Sequence, residues 1–235
     1  SMERAGYEAD RQRILVAAMS TEGGSLSAGN ARELTEGYMY DAAGLFWTPD
    51  SRSIIFPSTI DGLGALCRVN VDGEPAQIAR LTPEGWWFNF GAPFSFSEDE
   101  NGCTLLASYQ SMEFPTELVK VGISASGEAS RQQITSENDA ILSQVDGIRM
   151  DRVVLKTAQG EDLYCWVLYP PKFDAEGSFP AVEMFNGGPQ TSLDQGWSYR
   201  WNFRLMAQQG YVVILPNRHG DSGFGQPWKE QISGD

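Results

Sequence analysis

Two glycine-rich stretches carry the residue types that could do chemistry: Asn186-Gly187-Gly188-Pro189 and His219-Gly220-Asp221-Ser222-Gly223. In the first, glycine lets a backbone N–H come close to a ligand, and the Asn186 amide adds an N–H₂ donor. The plainer reading has Asn186 capping the turn and the glycines serving packing. In the second, a serine nucleophile would need a base within reach. His219 is the only histidine of the chain and stands three residues before Ser222 in the same loop. That is a poor position for a base, so His219 and Ser222 are read as loop residues. Glu3, Glu8 and Asp10 form a separate acidic cluster interleaved with Arg4, Arg11 and Arg13, for which solvated ion pairs are the simplest account. Cys67, Cys103 and Cys165 are widely spaced and form no C-x-x-C pair, so neither a disulfide framework nor a zinc site is indicated. No cofactor is implied.

The elements that must position these loops follow a strand, loop, helix, strand pattern. Phe179–Phe185 is an apolar run that reads as a buried strand, broken at once by the Asn-Gly-Gly-Pro loop. Tyr211–Leu215 is a second apolar run, expected to be covered on both faces of a parallel sheet. Between them, Trp197, Trp201 and Leu205 fall four apart and predict one face of a helix, with Met206 beside them. Arg200, Arg204 and Gln208 lie off that face, and Gly210 stands where a helix end wants a left-handed residue. Together these make a crossover unit of a parallel sheet. Just upstream, 151–157 and 163–168 alternate about Ala158-Gln159-Gly160 and predict a hairpin. A domain boundary is placed near residue 147, giving domains 1–147 and 148–235.

The first 140 residues repeat. Phe46-Trp47, the turn Pro49-Asp50, Ile54-Ile55-Phe56, 66–71, the turn Asp72-Gly73-Glu74 and Leu81-Thr82 recur as Phe96 to Asp99, 104–106, 118–121, 126–128 and Ile134-Thr135. A partial first copy runs from Ile14 to Thr35, so the Leu/Ile-Thr marks fall at Thr35, Thr82 and Thr135. Short strands repeating at roughly 50 residues read as blades of a β-propeller, about two and a half of them here, with an irregular β-sandwich as the alternative. The aromatics Trp86, Trp87 and Phe88 are assigned to the core between blades rather than to a substrate tunnel.

Composition is that of a globular protein, 41% hydrophobic and 20% charged. A net charge of −14 with no basic patch argues against nucleic acid as a partner. No apolar stretch reaches the roughly 18 residues of a membrane span.

The sequences F-N-G-G-P, G-Y-V-V-I-L-P-N-R-H-G and D-S-G-F-G, at 185–189 and 210–225, resemble the start of the α/β-hydrolase domain in the prolyl oligopeptidase family of serine peptidases. The usual family forms are H-G-G-P and N-x-R-G-S-x-G-[YF]-G, and the nearest branch is that of bacterial dipeptidyl peptidases of type five and acylaminoacyl peptidases. The resemblance implies partial β-propeller blades followed by the first part of an α/β-hydrolase domain, and peptides as substrates. It also implies that Asn186, Gly187 and Gly188 supply half of an oxyanion hole, and that Glu3, Glu8 and Asp10 hold a substrate's free N-terminus. G-x-S-x-G and the later Asp and His of a triad are absent from the 235 residues. The chain is therefore expected to be an inactive piece that starts inside a blade, stops before the nucleophile and associates with itself or with the remainder of its parent. Gly220-Asp221-Ser222-Gly223 resembles the nucleophile motif of chymotrypsin-like proteases, but that fold needs His and Asp far upstream. The competing function is an interaction module whose α/β segment is structural. The periplasm and the cytoplasm of a bacterium both remain open as locations.

Overall fold

The computed structural model describes residues 2–4, 6–72 and 77–234. The predicted turn residues Gly73 and Glu74 lie outside them. Near the N-terminus, β1 (Leu15–Val16) pairs antiparallel with β4 (Arg32–Glu33), and an exposed hairpin, β2 (Met19–Glu22) with β3 (Ser25–Ala28), stands between them. Next come β5 (Phe46–Trp47), β6 (Ser53–Ile60), β7 (Leu63–Asn70) and β8 (Ile78–Arg80), a four-stranded antiparallel meander. A second antiparallel sheet has the order β10 (Ser95–Asp99), β11 (Gly102–Ser111), β12 (Phe114–Ser124), β13 (Ala129–Gln133), with β9 (Asn89–Phe90) also on β11.

The sheets stack because their strands alternate. In β11 every second residue is buried, as a period of two requires. On β6 and β7 both faces are covered: Ile55 and Leu66 enter a core with Leu105, Tyr109, Val119 and Val121 of the second sheet. Ile54, Phe56, Ala65 and Val69 point the other way, onto Ile14 and Leu34 of the N-terminal unit. Trp86 and Phe88 belong to the core between the two sheets, and Trp87 packs edge-on against Trp166 at 5.1 Å. Full burial of each large apolar side chain contributes about 1.5–3 kcal/mol.

The internal repeat has an atomic signature. The Oγ1 atoms of Thr35, Thr82 and Thr135 accept from the backbone N–H of Ile14, Leu66 and Leu118 at 3.1, 3.1 and 2.8 Å. The residues just before, Leu34, Leu81 and Ile134, donate to the carbonyls of the same three residues at 2.9, 2.8 and 2.8 Å. The accepting positions 14, 66 and 118 are equally spaced. A hydroxyl serves at each mark because it continues a ladder where the strand has ended.

After α1 (Asp139–Leu142) the chain builds a mixed sheet. β14 (Arg149–Lys156) and β15 (Asp162–Tyr169) form the predicted hairpin, and β15 pairs antiparallel with β17 (Val212–Pro216). β16 (Ala181–Glu183) lies parallel to β17 at the sheet edge. Its core contains Trp166, Leu168, Val213 and Leu215 together with Leu63 and Met112 from the tips of hairpins in the two antiparallel sheets. Among the described residues no helix is long and apolar enough to cross a membrane, a statement that does not extend to strands.

Two expectations are corrected. The strand β16 is not buried: Ala181 and Glu183 are exposed, because it is an edge strand of the sheet. The helix is shorter than its spacing predicts and turned over. α2 spans only Phe203–Gln208, with Trp201 and Leu205 51% and 60% exposed while Arg204 and Ala207 are buried. The Ser198 hydroxyl accepts from Arg200 and Trp201 N–H groups, and the Asn202 side chain accepts from Leu205 N–H, so local caps displace the first helical turns. The buried Arg204 guanidinium donates to the carbonyls of Glu113 and Asp146, which outweighs the apolar periodicity. Gly210, at φ +94°, ends the helix as expected.

Candidate functional site

Parallel strands β16 and β17 are adjacent, with Val182 opposite Val213, so the segments that follow them leave the same end of the sheet. In open α/β sheets this is where ligands bind. The two segments, 184–193 and 217–225, are fastened to each other by polar groups. Asn217, 1% exposed, works as a substitute peptide group: its Oδ1 accepts from Leu193 N–H at 2.8 Å and its Nδ2 donates to Leu193 O at 3.0 Å. Arg218 donates to the carbonyls of Asn186 (3.0 Å), Pro189 (3.3 Å) and His219 (2.7 Å). The Ser192 hydroxyl accepts from Gly223 N–H at 2.6 Å, and a Cβ at Gly223 would stand 2.8 Å from that same oxygen. Only glycine permits this approach.

Asn186 is held from both ends. While Arg218 takes its carbonyl, its Nδ2 donates to Thr191 Oγ1 at 2.9 Å, to the Thr191 carbonyl and to Asp221 Oδ1 at 3.0 Å. Thr191 in turn donates to the Gly187 carbonyl. Asp221 is fully buried, and neither its Oδ2 nor Asn186 Oδ1 has a protein partner among the described residues. Burial pushes the Asp221 carboxyl up to about 7, against the opposing pull of the Asn186 hydrogen bond and the Arg218 charge. The N–H groups of Gly187 and Gly188 have no protein acceptor among the described residues. Both glycines are exposed, and a Cβ at Gly187 would meet nothing within 4 Å. The loop therefore carries two exposed backbone donors without a protein acceptor among the described residues, with its side-chain amide turned inward.

The other residues singled out in the sequence lie apart from these donors. His219 pairs through Nε2 with Glu161 at 2.9 Å and stacks edge-on against Trp228, while Ser222 Oγ meets Ser192 Oγ at 3.3 Å. The only histidine thus faces away from that serine. At the N-terminus, Asp10 is buried against Arg4, whose guanidinium and N–H hold its carboxyl below the usual carboxylate range. Glu3 is exposed and lies 3.9 Å from Arg13, and Glu8 is exposed. Arg11 pairs with Glu33. Arg4 also reaches Glu230, and Arg11 N–H reaches Gln226, so the cluster rests on α3 (Gln226–Glu230), just after the second loop. Residue types alone do not single out Asn217, Arg218, Asp221 and Ser192, since the partners that tie them across the two loops lie 24 to 35 positions away. The available signal is the Asn217-Arg218-His219-Gly220 string itself.

A stack of antiparallel sheets joined to a mixed α/β sheet is also the fold of the Pyrococcus horikoshii acylaminoacyl peptidase. Its solved structure aligns with 97% of this chain and 32% of that one, at TM-score 0.68 and 16% identity. Residues 197–235 match the model of the prolyl oligopeptidase family. A dipeptidyl-peptidase 5 of Porphyromonas gingivalis is 38% identical over the whole chain, and that of Porphyromonas endodontalis is 47% identical over 58% of it. The chain spans 32% and 19% of the lengths of these two relatives.

Proposed function

We propose that the full-length protein is a serine peptidase that shortens peptides from their N-terminus, releasing dipeptides. The observation that carries this is the 38% identity to a dipeptidyl-peptidase 5 across all 235 residues, site loops included. In this reading residues 1–147 are part of a β-propeller and 148–235 begin an α/β-hydrolase domain. The contribution of this chain to catalysis is electrostatic. A tetrahedral intermediate carries negative charge on the former carbonyl oxygen, and fixed N–H donors there act mainly in the transition state. The unpartnered N–H groups of Gly187 and Gly188 support them as those donors, while the Nδ2 of Asn186 is engaged by Thr191 and Asp221. Glu3, Glu8 and Asp10 remain proposed contacts for a substrate amine, with exposed Glu3 and Glu8 better placed than Asp10, which Arg4 already neutralises.

The test uses the full-length protein with dipeptidyl, aminoacyl and N-acetyl-aminoacyl coumarylamides. The dipeptidyl substrate with a free amine is expected to be cleaved fastest and the activity to be lost on fluorophosphonate treatment. Preference for the N-acetylated substrate would replace this reading with an acylaminoacyl peptidase; no cleavage of any would remove it. The 235-residue chain alone is expected to resist fluorophosphonate labelling, and stoichiometric labelling at Ser222 would show that this serine has a base after all.

A further inference from the structure

We infer that Asp221 is a positioning residue: by accepting from the Asn186 amide it fixes the path of residues 186–188 and hence the direction of their backbone N–H groups. This rests on the reading of those groups as oxyanion donors. A buried carboxylate with one oxygen unpartnered is expensive, and it is retained where a geometry depends on it. Here the geometry is visible. Asp221 has 0% exposure, and among the described residues its carboxylate is hydrogen-bonded by Asn186 Nδ2 alone, with no partner for Oδ2. Arg218 does not neutralise it by direct contact: Nη1 stands 4.0 Å from Oδ1, and the guanidinium is committed to three backbone carbonyls.

Asn186 is thereby gripped on its main chain by Arg218 and on its side chain by Asp221, both from the loop after β17. Its amide also ties Thr191, which holds the Gly187 carbonyl. Turning that carbonyl turns the next peptide N–H, that of Gly188, because the peptide unit is planar. The route from Asp221 to the donor is therefore Asn186, Thr191, Gly187 O, Gly188 N–H. The site's other titratable side chains, His219 and Glu161, pair with each other at 2.9 Å, and Arg218 is the charged group nearest Asp221. The carboxyl's position at about 7 means that its charge, and its strength as an acceptor, change near neutrality.

The experiment compares Asp221→Ala, Asp221→Asn, Asn186→Ala and the double alanine variant in the full-length protein. The orientation of the Gly187–Gly188 peptide is followed in crystal structures of the variants, and kinetics on the dipeptidyl substrate. Losing a charge-assisted hydrogen bond should turn the Gly187 carbonyl away from Thr191 and lower kcat by roughly 10-fold to 100-fold in Asp221→Ala. Asn186→Ala should do the same, and the double variant should add little, since both remove one link. Asp221→Asn keeps an acceptor oxygen, so the peptide orientation and kcat should be partly restored. KM should stay within a factor of about two, as for an interaction felt in the transition state. An unmoved Gly187–Gly188 peptide in either folded alanine variant would overturn the inference. If Asp221→Ala does not fold, Asn186→Ala carries the same test. A turned peptide in an enzyme whose kcat is unmoved would leave Asp221 structural and remove the glycine donors from the mechanism. A protein with no peptidase activity refutes the proposed function, while the orientation of the peptide still decides the positioning.

Discussion

The hydroxyl of Thr82 should carry a cost out of proportion to its size. It accepts from the N–H of Leu66 at 3.1 Å; Leu66 is 0% exposed and Thr82 2%, so no water can replace the bond. Thr82→Val keeps the side-chain outline and removes only the acceptor. The remaining ties of the corner, Leu81 N–H to Leu66 O and Arg80 Nε to Thr82 O, both 2.8 Å, are untouched. What is left is one buried, unpaired N–H, which costs about 1–3 kcal/mol. In a protein of this size each such kilocalorie lowers Tm by roughly 2–4 °C. Exchange of the Leu66 amide should accelerate by roughly 5-fold to 150-fold, and this is the better assay because it is local. Thr82→Ser is the control: it loses a methyl but keeps the acceptor, so Leu66 should stay protected even if Tm falls. Wild-type exchange at Leu66 in the valine variant would show that the threonine marks are not ladder partners, and the equivalence of 14, 66 and 118 would lose its physical basis.

Thr135→Val should behave differently because Thr135 also donates to the buried Glu117. Burial raises that carboxyl, but hydrogen bonds from Thr135, Asn138 and Glu137 overcome it and hold it below its ordinary value, so Glu117 stabilises the fold above the unfolded carboxyl value and that stability is lost as pH falls through the folded one. The valine penalty, read by urea unfolding, should therefore be larger at pH 7 than at pH 3; a pH-independent penalty would contradict this. Asp221 has the opposite sign: its folded state holds the proton longer, so stability is greatest below about pH 4, falls as pH rises to about 7, and carries a cost of about 4 kcal/mol above that. Asp221→Asn should flatten that decline, and an unfolding midpoint that falls equally in both proteins between pH 4 and 8 would refute it. Gly188 has φ +143°, and a Cβ added there would lie 3.0 Å from Thr191 Cγ2, so its change to alanine should cost about 1–3 kcal/mol of loop stability. Gly187→Ala, entering open space, should stay close to wild type in thermal melts.

Much of the architecture was legible because it is written in local periodicity. The alternation of 151–157 and 163–168 about a glycine turn gave the hairpin, and two apolar runs bracketing a loop gave the parallel pair β16 and β17. The Leu/Ile-Thr marks were legible as a period, though the sequence could not say that the hydroxyl meets a strand residue 16 to 21 positions earlier. The helix failed for a physical reason. Apolar spacing says which residues prefer to be covered, but Arg204 is drawn inward by two backbone carbonyls, and covering Arg204 puts Trp201 and Leu205 outside. The candidate site was half legible. Glycines announce where a backbone can come close, whereas the groups that hold it there, Asn217, Arg218 and Asp221, act through partners that only the fold brings near.

The antiparallel sheets are also part of the site's support, which explains why the glycine loops cannot be understood from the α/β segment alone. The turn between β6 and β7 carries Asp61 and Gly62, at φ +50° and +75°. Gly62 N–H donates to Gly223 O at 3.1 Å, and a Cβ on Gly62 would lie 2.9 Å from the Phe224 ring. Tyr40 donates to Asp61 Oδ1 at 2.7 Å, and Arg152, stacked over Tyr164, donates to the Asp61 carbonyl, so the turn is bolted to both sides of the seam. From Gly223 the contacts pass to Ser192 and so to the loop that bears Gly187 and Gly188. A shift of the antiparallel unit against the mixed sheet must therefore act first on 222–225 and through it on 186–193. Packed elements joined by short, directional bonds do not slide by fractions of a bond length; they hold one arrangement or change to another. The orientation of the Gly187 and Gly188 N–H groups is thus set by the docking of the two units as much as by the loop that carries them.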